Sequence, residues 1–143
     1  MLKGIPPILN GDLLKILRDM GHGDELTISD ANYPSHSNHA RVVRVDGCDT
    51  TTVLEAILSL MPLDEFVDSP VWAMSPGPGE AAPMAAAYQE VCDKVAGKGI
   101  KITPLPRFDF YPRANKSYAC VACLERRLYA DLIIKKGIIR PGK

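Results

Sequence analysis

The chain has 143 residues, enough for one compact domain that buries roughly 70% of its unfolded surface without covalent staples. Apolar residues make up 46% and charged residues 24%, the balance of an ordinary globular protein. Lys plus Arg and Asp plus Glu both total 17, so the formal net charge is zero; that speaks against a general electrostatic binder of nucleic acid or membrane surfaces and removes one barrier to self-association.

The opening MLKGIPPILNGD lacks the apolar core and small-residue cleavage site of a secretory signal, and no apolar run is long enough to span a bilayer, so the cytoplasm is the expected location. Asn10 stands where a helix cap belongs, ahead of an apolar stripe of Leu13, Leu14, Leu17 and Met20. Gly21 is placed for a left-handed C-terminal cap. DELTISD then alternates, with Leu26 and Ile28 on one face, and predicts a strand. ANYPSHSNHA reads as a polar loop in which His36 and His39 face solvent, and RVVRVDG as a second strand that ends at Gly47.

Asp49 or Thr50 caps the next helix, whose stripe is Val53, Leu54, Ile57, Leu58 and Met61, with Pro62 as its stop. VWAMS predicts a third strand, PGPGEAAP a turn-rich loop, MAAAYQEVCDKVAG an Ala-rich helix ended by Gly97 and Gly99, and IKITPL a fourth strand. FDFYPRANKS is a short helix or an irregular loop. SYACVACLE and LIIKKGII are the fifth and sixth strands, the last apolar enough at its start to be buried on both faces. Strands alternating with helices predict a single α/β domain over 1–143, three layers in the order α/β/α around a mostly parallel sheet of about six strands. The last two strands follow closely on each other, which predicts some antiparallel pairing. The basic RRL and KKGIIRPGK segments read as a solvated edge or terminus.

Cysteines number four, Cys48, Cys92, Cys120 and Cys123, and are scattered rather than set out as a disulfide framework. CVAC at 120–123 has metal-site spacing, but residues three apart on a strand face opposite ways, so Cys120 and Cys123 are expected as buried small residues. GPGEAAP lacks the lysine and glycine order of a phosphate loop.

His22, between two glycines, has two readings on these residues alone. It is either a ring interacting with the carbonyls of the preceding helix or an exposed titratable group beside a closely approaching ligand. Asp30 closes a strand at its C-terminal end, where ligands of α/β sheets collect.

GHGDELTISDANYP resembles the signature of the RbsD/FucU family, the D-ribose pyranases and L-fucose mutarotases. The likeness continues through MLKGIPPIL, LLKILRDMGHGDE, RVVRVDG, PRFDFYPRANKSYA and LYADLIIKKGI, in family order along nearly the whole chain. Arg107 followed by FDFYPRA is more similar to the fucose branch. The resemblance implies an isomerase that exchanges the α and β anomers, or pyranose and furanose rings, of a free monosaccharide. It implies His22 as proton donor, with Asp30, Arg107, Tyr129, Ala130 and Asp131 at the sugar-contacting positions. It further implies a ring-shaped homo-oligomer, commonly a decamer, with sites near subunit contacts.

The fucose branch usually reads Tyr-Gly-Asn where this chain has Tyr129–Ala130–Asp131. Asp131 puts an acceptor-only carboxylate in place of a two-way amide, a change that bears on the preferred sugar rather than on the reaction. No redox change occurs, so no nicotinamide or metal cofactor is expected. Asp30 is expected either to orient His22 or to bind a sugar hydroxyl, and Trp72 and Tyr33 are weaker candidates for the pocket wall. Two rival readings are a non-catalytic sugar-binding or regulatory module of the same fold, and a metal-dependent hydrolase built on His22, Asp30, His36 and His39.

Overall fold

A computed structural model describes residues 1–142; Lys143, the last residue of the expected domain and of its basic tail, lies outside the described residues. Among the described residues are six strands and five helices. The strands are β1 (Glu25–Ser29), β2 (Val42–Val45), β3 (Val71–Ser75), β4 (Ile102–Pro106), β5 (Ala119–Cys123) and β6 (Leu132–Lys135). The helices are α1 (Gly11–Asp19), α2 (Ser35–Asn38), α3 (Thr50–Leu58), α4 (Ala85–Val95) and α5 (Arg107–Ala114).

One sheet runs in the order β2-β5-β1-β6-β3-β4. Pairs β2–β5, β5–β1 and β3–β4 are parallel, and β6 lies antiparallel between β1 and β3. The sheet is therefore mostly parallel, as expected, but β6 pairs with β1 and β3 rather than with its sequence neighbour β5. The antiparallel pairing joins Leu26 to Ile134 and Ile28 to Leu132 on one side, and Ala73 to Leu132 on the other.

Side chains alternate across the sheet and divide the core in two. Leu26, Ile28, Val121, Cys123, Leu132 and Ile134 pack on the face that carries Leu13 and Leu17 of α1, Leu54 and Ile57 of α3 and Tyr88 of α4. Met74, Cys120 and Ile133 pack on the other face, against Tyr33 and against Phe110 and Ala114 of α5. This is the three-layer α/β/α arrangement. Leu132, Ile133 and Ile134 are all fully buried, as the apolar start of that strand required. Cys120 and Cys123 fall on opposite faces, so they share no ligand site.

Asn10 caps α1 by accepting from the Leu13 N–H at 2.9 Å, and Asp49 caps α3 by accepting from the Thr52 N–H at 2.9 Å. The other end of α1 departs from expectation. Gly21 is not left-handed; Gly23 is, with φ +88°. The carbonyls of Leu17 in α1 and of Met20 just after it accept instead from the Lys136 ammonium, so part of the basic tail is a tertiary cap rather than a solvated edge. FDFYPRANKS contributes α5, which starts on Arg107 directly after β4. ANYPSHSNHA holds the one-turn α2.

Candidate active site

β1 ends at Ser29 and delivers Asp30 to the sheet edge formed by the C-terminal ends of the parallel strands. β6 runs the other way, so its first residues start from that same edge, and Asp131 arrives there beside Asp30. The C-terminal end of β3 supplies Met74, and the junction of β4 with α5 supplies Arg107. Together with Tyr33, Tyr111 and Tyr129 they line a cavity of about 220 Å³. It lies where strand direction reverses between β1, β6 and β3, the kind of crevice in which α/β sheets bind ligands. Its size is below the ~300–1,000 Å³ of drug-sized ligand pockets and suits a small polar molecule. The groove between α3 and α4 is larger, about 630 Å³, but its Glu55 and Lys94 already pair with each other at the surface.

The cavity floor is acidic and buried. Asp30 and Asp131 are 6% and 3% exposed. The Asp30 N–H donates to Asp131 Oδ1 at 2.7 Å, and the Asn32 N–H donates to Asp30 Oδ1 at 2.9 Å. Burial pushes both carboxyls above the usual carboxylate range; for Asp131 the neighbouring Asp30 charge adds to the rise. Arg107 stands exposed at the mouth, its guanidinium 5.3 Å from the Phe108 ring centre and 5.9 Å from that of Tyr111.

Tyr129 is the only described non-glycine residue with a positive φ, +54°, a conformation that costs of order 1 kcal/mol. The fully buried Ala130 beside it is anchored from below: the Tyr88 hydroxyl donates to its carbonyl and also bonds Thr50 Oγ1 at 2.8 Å. Of the weaker candidates, Tyr33 lines the cavity, whereas the Trp72 ring lies 3.6 Å under the Arg113 guanidinium, away from it.

His22 sits elsewhere. Gly21 N–H donates to Asp24 Oδ2 at 2.7 Å and Asp24 N–H to the Gly21 carbonyl at 3.2 Å, closing a four-residue turn. Gly23 occupies the third position, where a type II turn demands a positive φ. The turn presents His22 with its side chain 46% exposed, and its Nε2 meets Asp64 Oδ1 at 3.1 Å. The Phe66 ring lies 5.4 Å away and tilted. Burial would raise the Asp64 carboxyl, but the Phe66 N–H and the bond and charge of His22 outweigh it and hold the group below its ordinary value. Asp64 itself is 4% exposed and was not apparent from the sequence.

Asp30 therefore does not orient His22. The two flank β1 at opposite ends, and five extended residues at ~3.3 Å each put roughly 16 Å between those ends. The structure brings Asp30, Arg107, Tyr129 and Asp131 to one cavity and leaves His22 at the far end of the sheet. Ala130 contributes its backbone anchor rather than cavity wall. His39 is also not solvent-facing: it is half-buried, its Nε2 is 2.9 Å from the Tyr33 hydroxyl, and burial lowers its pKa. His36 is exposed. The four residues of the hydrolase reading are thus dispersed, and no group of three or more His, Cys, Asp or Glu among the described residues is arranged to hold a metal ion.

A small acid-floored cavity at the strand-reversal point of an α/β/α sheet has the size and polarity to take a small polar molecule. A profile of the RbsD / FucU transport protein family matches residues 3–139, and the chain belongs to that family. It is 43% identical over 140 residues to the L-fucose mutarotase of Actinobacillus pleuropneumoniae, covering 96% of this chain and 97% of that protein. The crystal structure of the fucose mutarotase from Streptococcus pneumoniae, in complex with L-fucose, superimposes with a TM-score of 0.87 at 43% identity, covering 97% of this chain and all of that one. Bacillus subtilis RbsD, complexed with D-ribose, shares the fold at TM-score 0.74 and 20% identity, covering 98% of this chain and 100% of that one.

Proposed function

We infer that this chain is a monosaccharide mutarotase acting on L-fucose or a closely related sugar, an isomerase whose unit is the single domain expected over 1–143. The observation that carries it is the small acid-floored cavity, in a chain 43% identical along nearly its whole length to L-fucose mutarotase. Ring opening needs a proton delivered to the ring oxygen while the anomeric hydroxyl loses one. The open-chain aldehyde then rotates about its first carbon–carbon bond and recloses. The uncatalysed reaction is already feasible in water, so one positioned acid/base group, worth ~10²–10⁴-fold, is enough to matter. His22 gives the proton on opening and recovers it on closure. Arg107 supplies a fork of donors for sugar hydroxyls, Tyr129 an apolar face for sugar C–H groups, and Asp30 and Asp131 hydroxyl acceptors.

Because His22 and the cavity occupy opposite ends of one chain, a site that uses both is assembled from two copies. Two unlike apolar surfaces support such a contact. Phe66 is exposed against His22, with the exposed Val67 next to it in the chain, and Phe108 and Leu128 are exposed beside the cavity. Unlike patches at opposite ends make a heterologous, head-to-tail contact, which closes into a ring when the rotation allows. A decamer is the assembly the family resemblance suggests, and the cytoplasm, where free monosaccharides are metabolised, its place of action. A non-catalytic sugar-binding module is the less favoured alternative.

Saturation transfer between the α and β anomeric protons of L-fucose tests the activity directly. The wild-type protein accelerates exchange, and His22→Ala reduces it to background with its melting curve unchanged. Mixing His22→Ala with Asp30→Asn chains, each inactive alone, restores part of the exchange if the site is shared between copies. Full exchange by His22→Ala would remove His22 as the acid.

A further inference from the structure

Two protons move in ring opening, and His22 accounts for only one. The cavity floor holds a group suited to the other. Asp30 and Asp131 sit at the ends of strands that run in opposite directions, the Asp30 N–H donates to Asp131 Oδ1 at 2.7 Å, and both residues line the one small cavity. Both are buried, and neither forms an ion pair with any described lysine, arginine or histidine. The groups that face them are Tyr33 after β1, Tyr88 of α4 and Cys120 of β5, each with its pKa pushed up by burial, with Tyr111 of α5, Tyr129 ahead of β6, and Arg107 at the solvent-exposed mouth. Two buried carboxylates side by side with no described cation paired to either cannot both ionise cheaply, so one of them keeps a proton.

We propose that Asp30 and Asp131 hold a single proton between them and act together as the base that receives the proton of the anomeric hydroxyl. This rests on the mutarotase reading and adds to it the second proton carrier. The step balances. The O–H bond of the anomeric hydroxyl breaks, its proton passes to the free carboxylate oxygen of the pair, and its electrons become the second bond of the aldehyde C=O. The bond from the anomeric carbon to the ring oxygen breaks with its electrons left on that oxygen, which takes the proton released by the His22 imidazolium. Closure reverses each transfer. The pair passes from one proton to two and from one negative charge to none, the direction that burial favours. An asparagine at 131 could not share a proton in this way, so the carboxyl at this position is what the proposal turns on.

Two measurements test the pair. In protein labelled with ¹³C at the aspartate carboxyls, one carbon keeps the chemical shift of a protonated acid through pH 7, and that signal is lost in both Asp131→Asn and Asp30→Asn. Asp131→Asn keeps an oxygen to accept the Asp30 N–H, so the fold is retained. In saturation transfer on L-fucose between pH 4 and 9, wild-type exchange falls on the acid side as the pair takes up its second proton. Asp131→Asn removes the shared proton that stabilises the carboxylate of the pair and so moves that acid limb upward, and Asp30→Asn lowers exchange by about 10²-fold or more. Fully ionised aspartates at pH 7, or an acid limb unmoved by Asp131→Asn, would overturn the proposal while leaving the mutarotase reading intact. Absence of exchange in the wild-type protein on every sugar tried would instead remove the reading beneath it.

Discussion

Asp64 accepts a hydrogen bond from the ring of His22 at 3.1 Å across 42 residues of chain, and it does so from a carboxyl that is itself nearly inaccessible to water. Nε2 is committed to that bond, so in the proposed reaction Nδ1 is the nitrogen that gives and recovers the proton. The carboxylate also supplies a counter-charge for the imidazolium. Under that proposal Asp64 is a positioning residue, acting through His22.

Asp64→Asn should therefore lower kcat for anomer exchange by roughly 10-fold or more, a part of the ~10²–10⁴ that a placed acid contributes. KM should hold, because Asp64 acts through His22 and is itself nearly inaccessible, leaving it no direct contact to make with the sugar. Exchange rates measured by NMR over a range of L-fucose concentrations separate the two quantities. A change confined to KM would show that Asp64 does not act through His22.

Gly137 keeps Asp64 in place. Its N–H donates to the Pro62 carbonyl at 2.8 Å, the Asp64 N–H donates to the Lys135 carbonyl at 3.0 Å, and Leu63 bridges Lys136. A Cβ at 137 would stand 2.3 Å from the Leu63 carbonyl oxygen and 2.9 Å from the Asp64 Cα, contacts with backbone that no rotamer change relieves. Gly137→Ala should cost about 1–3 kcal/mol, the usual penalty for forced backbone shifts in a packed site. It should also lower exchange, since the displaced backbone carries the His22 partner. Chemical denaturation gives the first effect and NMR exchange the second.

The local devices of this fold were legible in the sequence because they rest on neighbouring residues. Asn10 and Asp49 were readable as caps, Leu26 and Ile28 as one face of a strand, and Cys120 and Cys123 as opposite faces of another. The placement of Asp30 at a strand end was equally local, and Arg107, Tyr129 and Asp131 were brought to it by family resemblance. What was not legible depends on distant pairing. Nothing in MPLDEF announces that Asp64 meets His22, because the contact is made by a bridge to the strand that closes the chain. Lys136 as the cap of α1 and β6 as the strand inserted between β1 and β3 are non-local in the same way. The separation of His22 from Asp30 was implicit in the five extended residues between them, but the shared motif drew the two together on paper.

Glu125 ties the cavity to the opposite layer of helices. Its carboxylate accepts from the Arg127 side chain at 2.8 and 3.0 Å, from the Arg127 N–H at 2.8 Å, and from the Thr50 N–H and hydroxyl at the start of α3. Thr50 in turn bonds the Tyr88 hydroxyl, which holds the Ala130 carbonyl next to Asp131. The bonds from Arg127 lead in holding the Glu125 carboxyl down at about 2, against an ordinary 4.5, with burial working the other way. A depressed folded value means the stabilisation is complete above the unfolded pKa and is lost as pH falls through the folded one. Glu125 should therefore contribute fully above about pH 5 and progressively less between roughly 4.5 and 2. Glu125→Gln should cost about 1.5–3 kcal/mol at pH 7, the range for hydrogen bonds to a charged group. The gap to wild type should close as acid protonates the native carboxyl. Because the same chain of bonds ends on Ala130, the substitution should also raise KM for the sugar. Urea unfolding at a series of pH values, with exchange kinetics at pH 7, reads both effects; a gap that stays constant from pH 7 to pH 3 would show that the Glu125 charge is not what holds this network.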